Sequence, residues 1–272
     1  MNLPRNECCI LNAGAGSWAF EPLANQLSAA IGIDVSDQPR EFNYLLHVED
    51  QAVARSCKSF IPFGAIEFAS DKRLLAAVFN ENQIQTPATV LFDKFEDTKS
   101  FIGSNANKQW CLKYPTSCGA NGHRMLRESD GEPTNWPKPF VVQEFISLAE
   151  PEVYRTYCAG GEIFGWVVRR FPKGTKASPW VAHAQGARYE NLHEPPADVH
   201  RTAEAAFRAT KLWNTFGCVD LIRGSNNKWL VLEVGTDGLF NHVDRDIGDP
   251  AFENILLQKI VKAFWQEAAR RR

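Results

Sequence analysis

The sequence has no excess of either charge: 30 lysines and arginines face 32 aspartates and glutamates, for a formal net charge of -2 at pH 7. Binding along a phosphate backbone normally needs a basic excess or stripe, so nucleic acid is not an expected partner. No stretch approaches the roughly 20 consecutive apolar residues of a membrane span, and the start shows no basic region followed by an apolar one. A cytoplasmic protein with no membrane partner is the expectation. Paired cysteine spacings are missing too. The seven cysteines, at 8, 9, 57, 111, 118, 158 and 218, are odd in number and suit neither a disulfide framework nor a structural zinc site, so reduced and mostly buried thiols are expected. What is there is a globular mixture, 44% hydrophobic and 23% charged over 272 residues, without repeats. That is enough for one large domain or two to three packed lobes.

The apolar run Cys8 to Leu11, the turn Asn12-Ala13-Gly14-Ala15-Gly16 and an amphipathic stretch through Ala30 read as strand, turn and helix, with Asn43 to Val48 as a further strand. A small α/β lobe follows. Gly14 and Gly16 lack the third glycine of a dinucleotide fingerprint, Ala19 and Phe20 standing near its place, so the turn serves to let the helix leave the strand. Ser70 is the expected cap of a helix carrying Leu74, Leu75, Val78 and Phe79, ended by Asn82. Strands are expected at 88–92, 110–114, 140–146, 154–159 and 163–168, the last two joined at Gly160-Gly161. A helix from about Asp198 to Phe216 and another from Pro250 complete the pattern.

Between them lies the most informative geometry. Val219 to Ile222 and Trp229 to Val234 are strand-like and separated by the turn-rich Ser225-Asn226-Asn227-Lys228. A symmetric hairpin sets 224 against 229, 222 against 231, and Asp220 against Glu233, with Val219, Leu221, Leu232 and Val234 turned to the core. Directly opposed carboxylates repel, so something positive must resolve the pair. It is either a divalent cation such as the Mg²⁺ that accompanies a nucleotide, or a neighbouring lysine or arginine. Upstream, Lys113 ends a strand just before Thr116-Ser117-Cys118-Gly119-Ala120-Asn121-Gly122-His123, offering a point charge and free N–H groups to phosphate. It is not a P-loop, because the lysine precedes the glycines.

The order of these parts, over roughly residues 60 to 240, resembles the ATP-grasp superfamily of carboxylate–amine ligases. The resemblance implies an α/β fold with a small N-terminal α/β domain over 1–65, a first ATP-grasp lobe with the glycine loop over 66–140, and a second lobe carrying the metal site over 141–272. It implies that Lys72 of Asp71-Lys72, Lys113, Gly119 and Gly122 meet the phosphates of ATP. Gln143, Glu144, Phe145 and Ile146 would meet adenine, and Glu152 the ribose. Asp220 and Glu233 would hold Mg²⁺, or Mn²⁺ in its place. Arg155 and Arg169, on strands lining the nucleotide side, would neutralise transferring phosphate or hold a substrate carboxylate. The implied substrates are a small-molecule carboxylate and an amine, joined through an acyl phosphate; a homodimer is left open. Two departures stand out: Gly235 replaces the family's usual Asn two residues after the last metal glutamate, with Asp237 or Asn241 as substitutes, and Glu152 lies one residue off the expected position. His123 and His183 are loop donors or surface histidines, and His242 and Asp244 candidates to shape an acceptor pocket. An ATP-dependent phosphotransferase and a non-catalytic nucleotide-binding relative are the alternatives; Cys118 as a nucleophile is disfavoured, since acyl phosphate chemistry needs none.

Overall fold

The computed structural model describes residues 3–148, 150–224, 227–236 and 240–271, without the side chains of residues 240–242 and 244. The turn positions 225 and 226, Asp237, and the side chains of Asn241, His242 and Asp244 therefore lie outside the described residues. Three sheets organise the chain. The first lobe runs β1 (Cys8–Ala13), α1 (Glu21–Ile31), β2 (Asp34–Ser36), β3 (Phe42–Val48) and α2 (Gln51–Ser56), its three strands parallel in the order β2-β1-β3. Then come α3 (Phe63–Ser70), α4 (Lys72–Glu81), β4 (Thr89–Phe92), α5 (Phe95–Ser104), β5 (Trp110–Lys113), β6 (Arg124–Leu126) and β7 (Phe140–Glu144), with an antiparallel sheet ordered β4-β7-β5-β6. The remainder is β8 (Glu152–Ala159), β9 (Glu162–Arg170), β10 (Arg188–His193), α6 (Ala197–Ala209), β11 (Phe216–Arg223), β12 (Trp229–Gly235), α7 (Phe240–Ile247) and α8 (Pro250–Arg270), its sheet ordered β10-β9-β8-β11-β12.

One apolar cluster joins the first lobe to the five-stranded sheet, because α8 lies between them: the Phe264 ring is 5.1 Å from that of Phe42 and 5.6 Å from that of Phe60, and Phe252 meets Tyr157 at 5.7 Å. Each such buried ring contributes roughly 1.5–3 kcal/mol. The four-stranded sheet has a separate core around Phe95, Trp110, Leu112 and Phe140. The β8–β9 hairpin turns at Gly160 and Gly161, both at positive φ, as a tight turn requires.

Three expectations need correction. The cap of α4 is Asp71, whose carboxylate accepts the Arg73 N–H at 2.8 Å, while Ser70 closes α3 by donating its hydroxyl to the Ile66 carbonyl. The helix expected to reach Phe216 stops at Ala209, because Lys211 turns left-handed (φ 63°) and the N–H groups of Leu212 and Trp213 fold back onto the Phe207 carbonyl. The β11–β12 register holds at Asp220↔Glu233 and Val219↔Val234 but then shifts, pairing Leu221 with Val231 and Ile222 with Leu230. Leu232 is the extra residue of a β-bulge; Val231 takes its core place, and Leu232 joins Glu233 on the cleft.

Candidate active site

A narrow cleft lies between α4, the four-stranded sheet and β12. Lys72 stands at the start of α4, with Leu75, Ala76 and Phe79 one and two turns on; Lys113 lies beside its strand partner Val141, and Leu232 beside Glu233, so charged and apolar side chains line the cleft together. Such a mixed lining suits a ligand with both apolar and anionic parts, as a nucleotide has.

Lys72 is held from two sides. Its backbone N–H donates to the Pro115 carbonyl at 3.0 Å and its Nζ to the Ser117 carbonyl at 2.6 Å, tying the loop after β5 to α4, and the same Nζ lies 3.7 Å from Glu233 Oε1. Lys113, at the end of β5, is 7% exposed and makes no ion pair among the described residues. A buried ammonium without a counter-charge is a standing attraction for an anion. Gly119 and Gly122 both adopt positive φ, and a Cβ at Gly122 would meet Tyr114 Cβ at 2.8 Å, so that close approach of loop and strand requires glycine.

The stretch 143–146, from the end of β7 onward, divides. Gln143 is buried on the cleft wall, its amide donating to the Thr89 hydroxyl at 2.9 Å. Glu144 pairs with Lys108 at 2.9 Å, and the N–H groups of Glu144 and Phe145 are taken by the Ala88 and Gln109 carbonyls. Phe145 packs its ring edge-on to Trp180 at 5.3 Å, and Ile146 is half-buried. Glu152 does not line the cleft: it pairs with Arg170 at 3.3 Å and accepts the Tyr154 hydroxyl.

On the five-stranded sheet the carboxylate pair is resolved by guanidinium. Arg155 binds Asp220 through two hydrogen bonds, Nε to Oδ1 at 2.6 Å and Nη2 to Oδ2 at 3.1 Å, and Arg169 Nη2 adds a third to Oδ2 at 3.0 Å. All three side chains are buried, at 14%, 13% and 8% exposure for Arg155, Arg169 and Asp220. Burial alone raises the Asp220 pKa, but the two arginines outweigh it and hold the carboxyl at about 2. Both guanidiniums lie over the Tyr189 ring, and Arg169 Nη1 donates to the Tyr189 hydroxyl at 2.9 Å. Beyond Tyr189, the buried Asp246 accepts the Tyr189 N–H at 3.2 Å and faces His183 Nε2 at 3.2 Å.

The donors are hard carboxylate oxygens, as Mg²⁺ prefers. Glu233, 41% exposed, fits such an ion directly, whereas Asp220 is free to join it only when a guanidinium lets go. Gly235 supplies no side chain, and no cluster of three or more potential ligands forms among the described residues. Phosphate oxygens and water would therefore have to complete the shell.

Leu232, Thr89, Tyr189, Trp180 and Asp246 escaped the sequence reading. Leu232 needed the bulge, and Arg188–His193 carries too polar a pattern to be read as a strand. Nothing in the sequence signals that Tyr189 would lie under two arginines.

The fold and this site define an ATP-grasp protein: a model of the ATP-grasp domain matches residues 69–236, and the chain belongs to that family. No curated protein matches its sequence. Among solved structures it is similar to the D-cycloserine synthetase DcsG, at 16% identity and a TM-score of 0.70 over 96% of this chain and 99% of that one. It is similar to the D-alanine–D-alanine ligase of Bacillus anthracis complexed with ATP, at 13% identity and a TM-score of 0.68 over 97% and 96%. The ligase PsnB, complexed with a minimal precursor, Mg and ADP, follows at 12% identity and 0.67 over 99% and 100%. At these identities the likeness is one of fold. No described helix is long and apolar enough to cross a membrane.

Proposed function

We propose that the protein is an ATP-dependent, ADP-forming ligase that activates a carboxylate as an acyl phosphate and passes the acyl group to an amine. The observation that carries this is the cleft itself: buried Lys113, loop-tethered Lys72 and Glu233 lining one cleft with apolar side chains, in a chain of the ATP-grasp family. The solved proteins it resembles include a synthetase and a D-alanine–D-alanine ligase, which supports ligase chemistry over other uses of ATP.

A carboxylate cannot expel oxide at neutral pH, whereas phosphate leaves readily. In this reading one carboxylate oxygen attacks the terminal phosphorus, the bond to the bridging oxygen of ADP breaks, and the amine then displaces inorganic phosphate from the acyl carbon with loss of a proton. Lys72 and Lys113 hold the phosphate oxygens and gather the charge that moves toward ADP. Arg155 and Arg169, fixed by Asp220 and Tyr189, present guanidinium groups to the acid carboxylate or the leaving phosphate. Gln143, Leu232, Leu75 and Phe79 form the wall against which the base would lie. Mg²⁺ held at Glu233, with phosphate oxygens and water completing its shell while Asp220 stays with the arginines, would screen the triphosphate and polarise its terminal group.

The test is ADP and inorganic phosphate release across a panel of carboxylic acids and amines, for wild type and Glu233→Gln. Turnover needing acid, amine and Mg²⁺ together, lost in Glu233→Gln, is expected. The occupation of Asp220 by two arginines, together with Gly235, favours one other reading, a nucleotide-binding relative without turnover. Mg²⁺-dependent ATP binding with no ADP from any pair would establish it.

A further inference from the structure

The loop between β9 and β10, residues 171–187, carries a group that the chemistry above leaves unused. His183 turns its Nε2 to Asp246 Oδ2 of α7 at 3.2 Å. Asp246 is itself braced: its side chain is 7% exposed, and the same Oδ2 accepts the Tyr189 N–H at 3.2 Å. Two cations flank the pair. Arg245 Nη2 lies 3.5 Å from His183 Nε2, and Arg188 stands with Nε 3.9 Å from Asp246 Oδ1 while its Nη1 donates to the His183 carbonyl at 3.4 Å. A buried carboxylate facing one ring nitrogen fixes the tautomer, placing the ring proton on Nε2 and leaving Nδ1 as the basic atom. The His183 side chain keeps 22% of its surface, so the ring is open to a reactant while its carboxylate partner is not.

The surroundings say which reactant. On one side the His183 ring lies stacked against Tyr189, centroids 6.3 Å apart and planes 22° apart. Tyr189 is the residue whose hydroxyl takes the Arg169 Nη1 donor and whose ring lies under the guanidiniums of Arg155 and Arg169. On the other side Ala184, the next residue, reaches the glycine loop: a Cβ at Gly119 would meet Ala184 Cβ at 3.4 Å, an ordinary contact. That loop is tied in turn to Lys72 through the Ser117 carbonyl. His183 therefore stands between the loop tethered to the phosphate-binding lysine and the arginines offered to the acid. An amine that is an ammonium ion in solution cannot attack until it sheds a proton, and neither the lysines nor the arginines can receive it.

We infer that His183 is the general base of the second step, with Asp246 as its positioning residue. This rests on the ligase reading of the cleft. One proton of the substrate ammonium passes to Nδ1 and frees the nitrogen lone pair. The nitrogen bonds to the acyl carbon, the carbon–oxygen bond to phosphate breaks with its electron pair on the oxygen, and the departing phosphate takes the second proton. Asp246 steadies the imidazolium until it returns its proton to water.

The experiment compares wild type, His183→Gln and Asp246→Asn, each with ATP, Mg²⁺ and an acid that supports wild-type turnover. Amide formation with the amine is set beside hydroxamate formation with hydroxylamine, which is unprotonated at neutral pH and needs no base. The expected result is a kcat with the amine lowered about 100-fold in His183→Gln and about tenfold in Asp246→Asn at little-changed KM, while hydroxamate formation stays within about threefold of wild type in both. An equal fall with both nucleophiles would show that the ring only holds the loop, and an unchanged rate with the amine would show that it takes no proton; either overturns the proposal. Wild-type protein that makes neither product with any acid of the panel overturns the ligase reading first, and this assignment with it.

Discussion

Replacing Asp220 by Asn removes the negative member of a buried triad and leaves Arg155 and Arg169 facing a neutral amide at 14% and 13% exposure. Breaking a buried ion pair by deleting one partner costs about 3–5 kcal/mol, most of it the uncompensated charge left behind. For a chain of this size that corresponds to a fall of roughly 6–20 °C in melting temperature, read by calorimetry or circular dichroism. Asp220→Asn is therefore a poor test of metal binding, since loss of turnover would follow from loss of fold. The acid limb carries the same physics. The folded pKa of about 2 lies below the ordinary carboxyl value of 3.8, so the contribution is complete above about pH 4 and is lost as pH falls toward 2. A companion variant, Asp220→Leu with Arg155→Met and Arg169→Met, removes all three charges and is expected to regain most of the lost stability. A melting shift below about 2 °C in Asp220→Asn, or a triple variant less stable than the single one, would refute the argument.

Other outcomes follow from single positions. Glu233→Gln, at a side chain 41% exposed, should leave the melting temperature within about 2 °C while abolishing Mg²⁺-dependent ADP formation. Asp71→Ala removes the α4 cap and the partner of Arg73, and should lower stability by about 1 kcal/mol in urea unfolding, with weaker ATP binding because Lys72 is the first residue of that helix. Gly122→Ala combines φ +71° with a Cβ 2.8 Å from Tyr114, and should reduce turnover through a displaced loop, visible as faster proteolysis there. Titration of the native protein with a thiol reagent should show one fast thiol, the exposed Cys118, a slower Cys57, and the remaining five only after denaturation.

Much of the frame was legible because it rests on local rules. Period-two alternation marks β11 and β12, and the symmetric turn sets Asp220 opposite Glu233, as their register has it. Glycine at positions 160 and 161 marked a hairpin, and the stripe Leu75, Val78 and Phe79 marked a helix face. The rest was decided by particular side-chain and backbone contacts. A bulge, invisible in alternation, moved Leu232 from core to cleft. Asp71 displaced Ser70 as the cap because its carboxylate also grips the Arg73 side chain. The positive charge required by the opposed carboxylates came from Arg155 and Arg169 on the neighbouring strands β8 and β9, a solution that no spacing within the β11–β12 hairpin reveals.

The most direct measurement follows the oxygen. With acid substrates drawn from the panel and labelled with ¹⁸O in the carboxylate, the attack on ATP carries one labelled oxygen onto the transferred phosphoryl group. Mass spectrometry of the released inorganic phosphate should find one ¹⁸O per molecule, formed only with the amine present and absent in Glu233→Gln. Turnover that yields unlabelled phosphate, or phosphate retained on an acceptor hydroxyl, would contradict the acyl phosphate account.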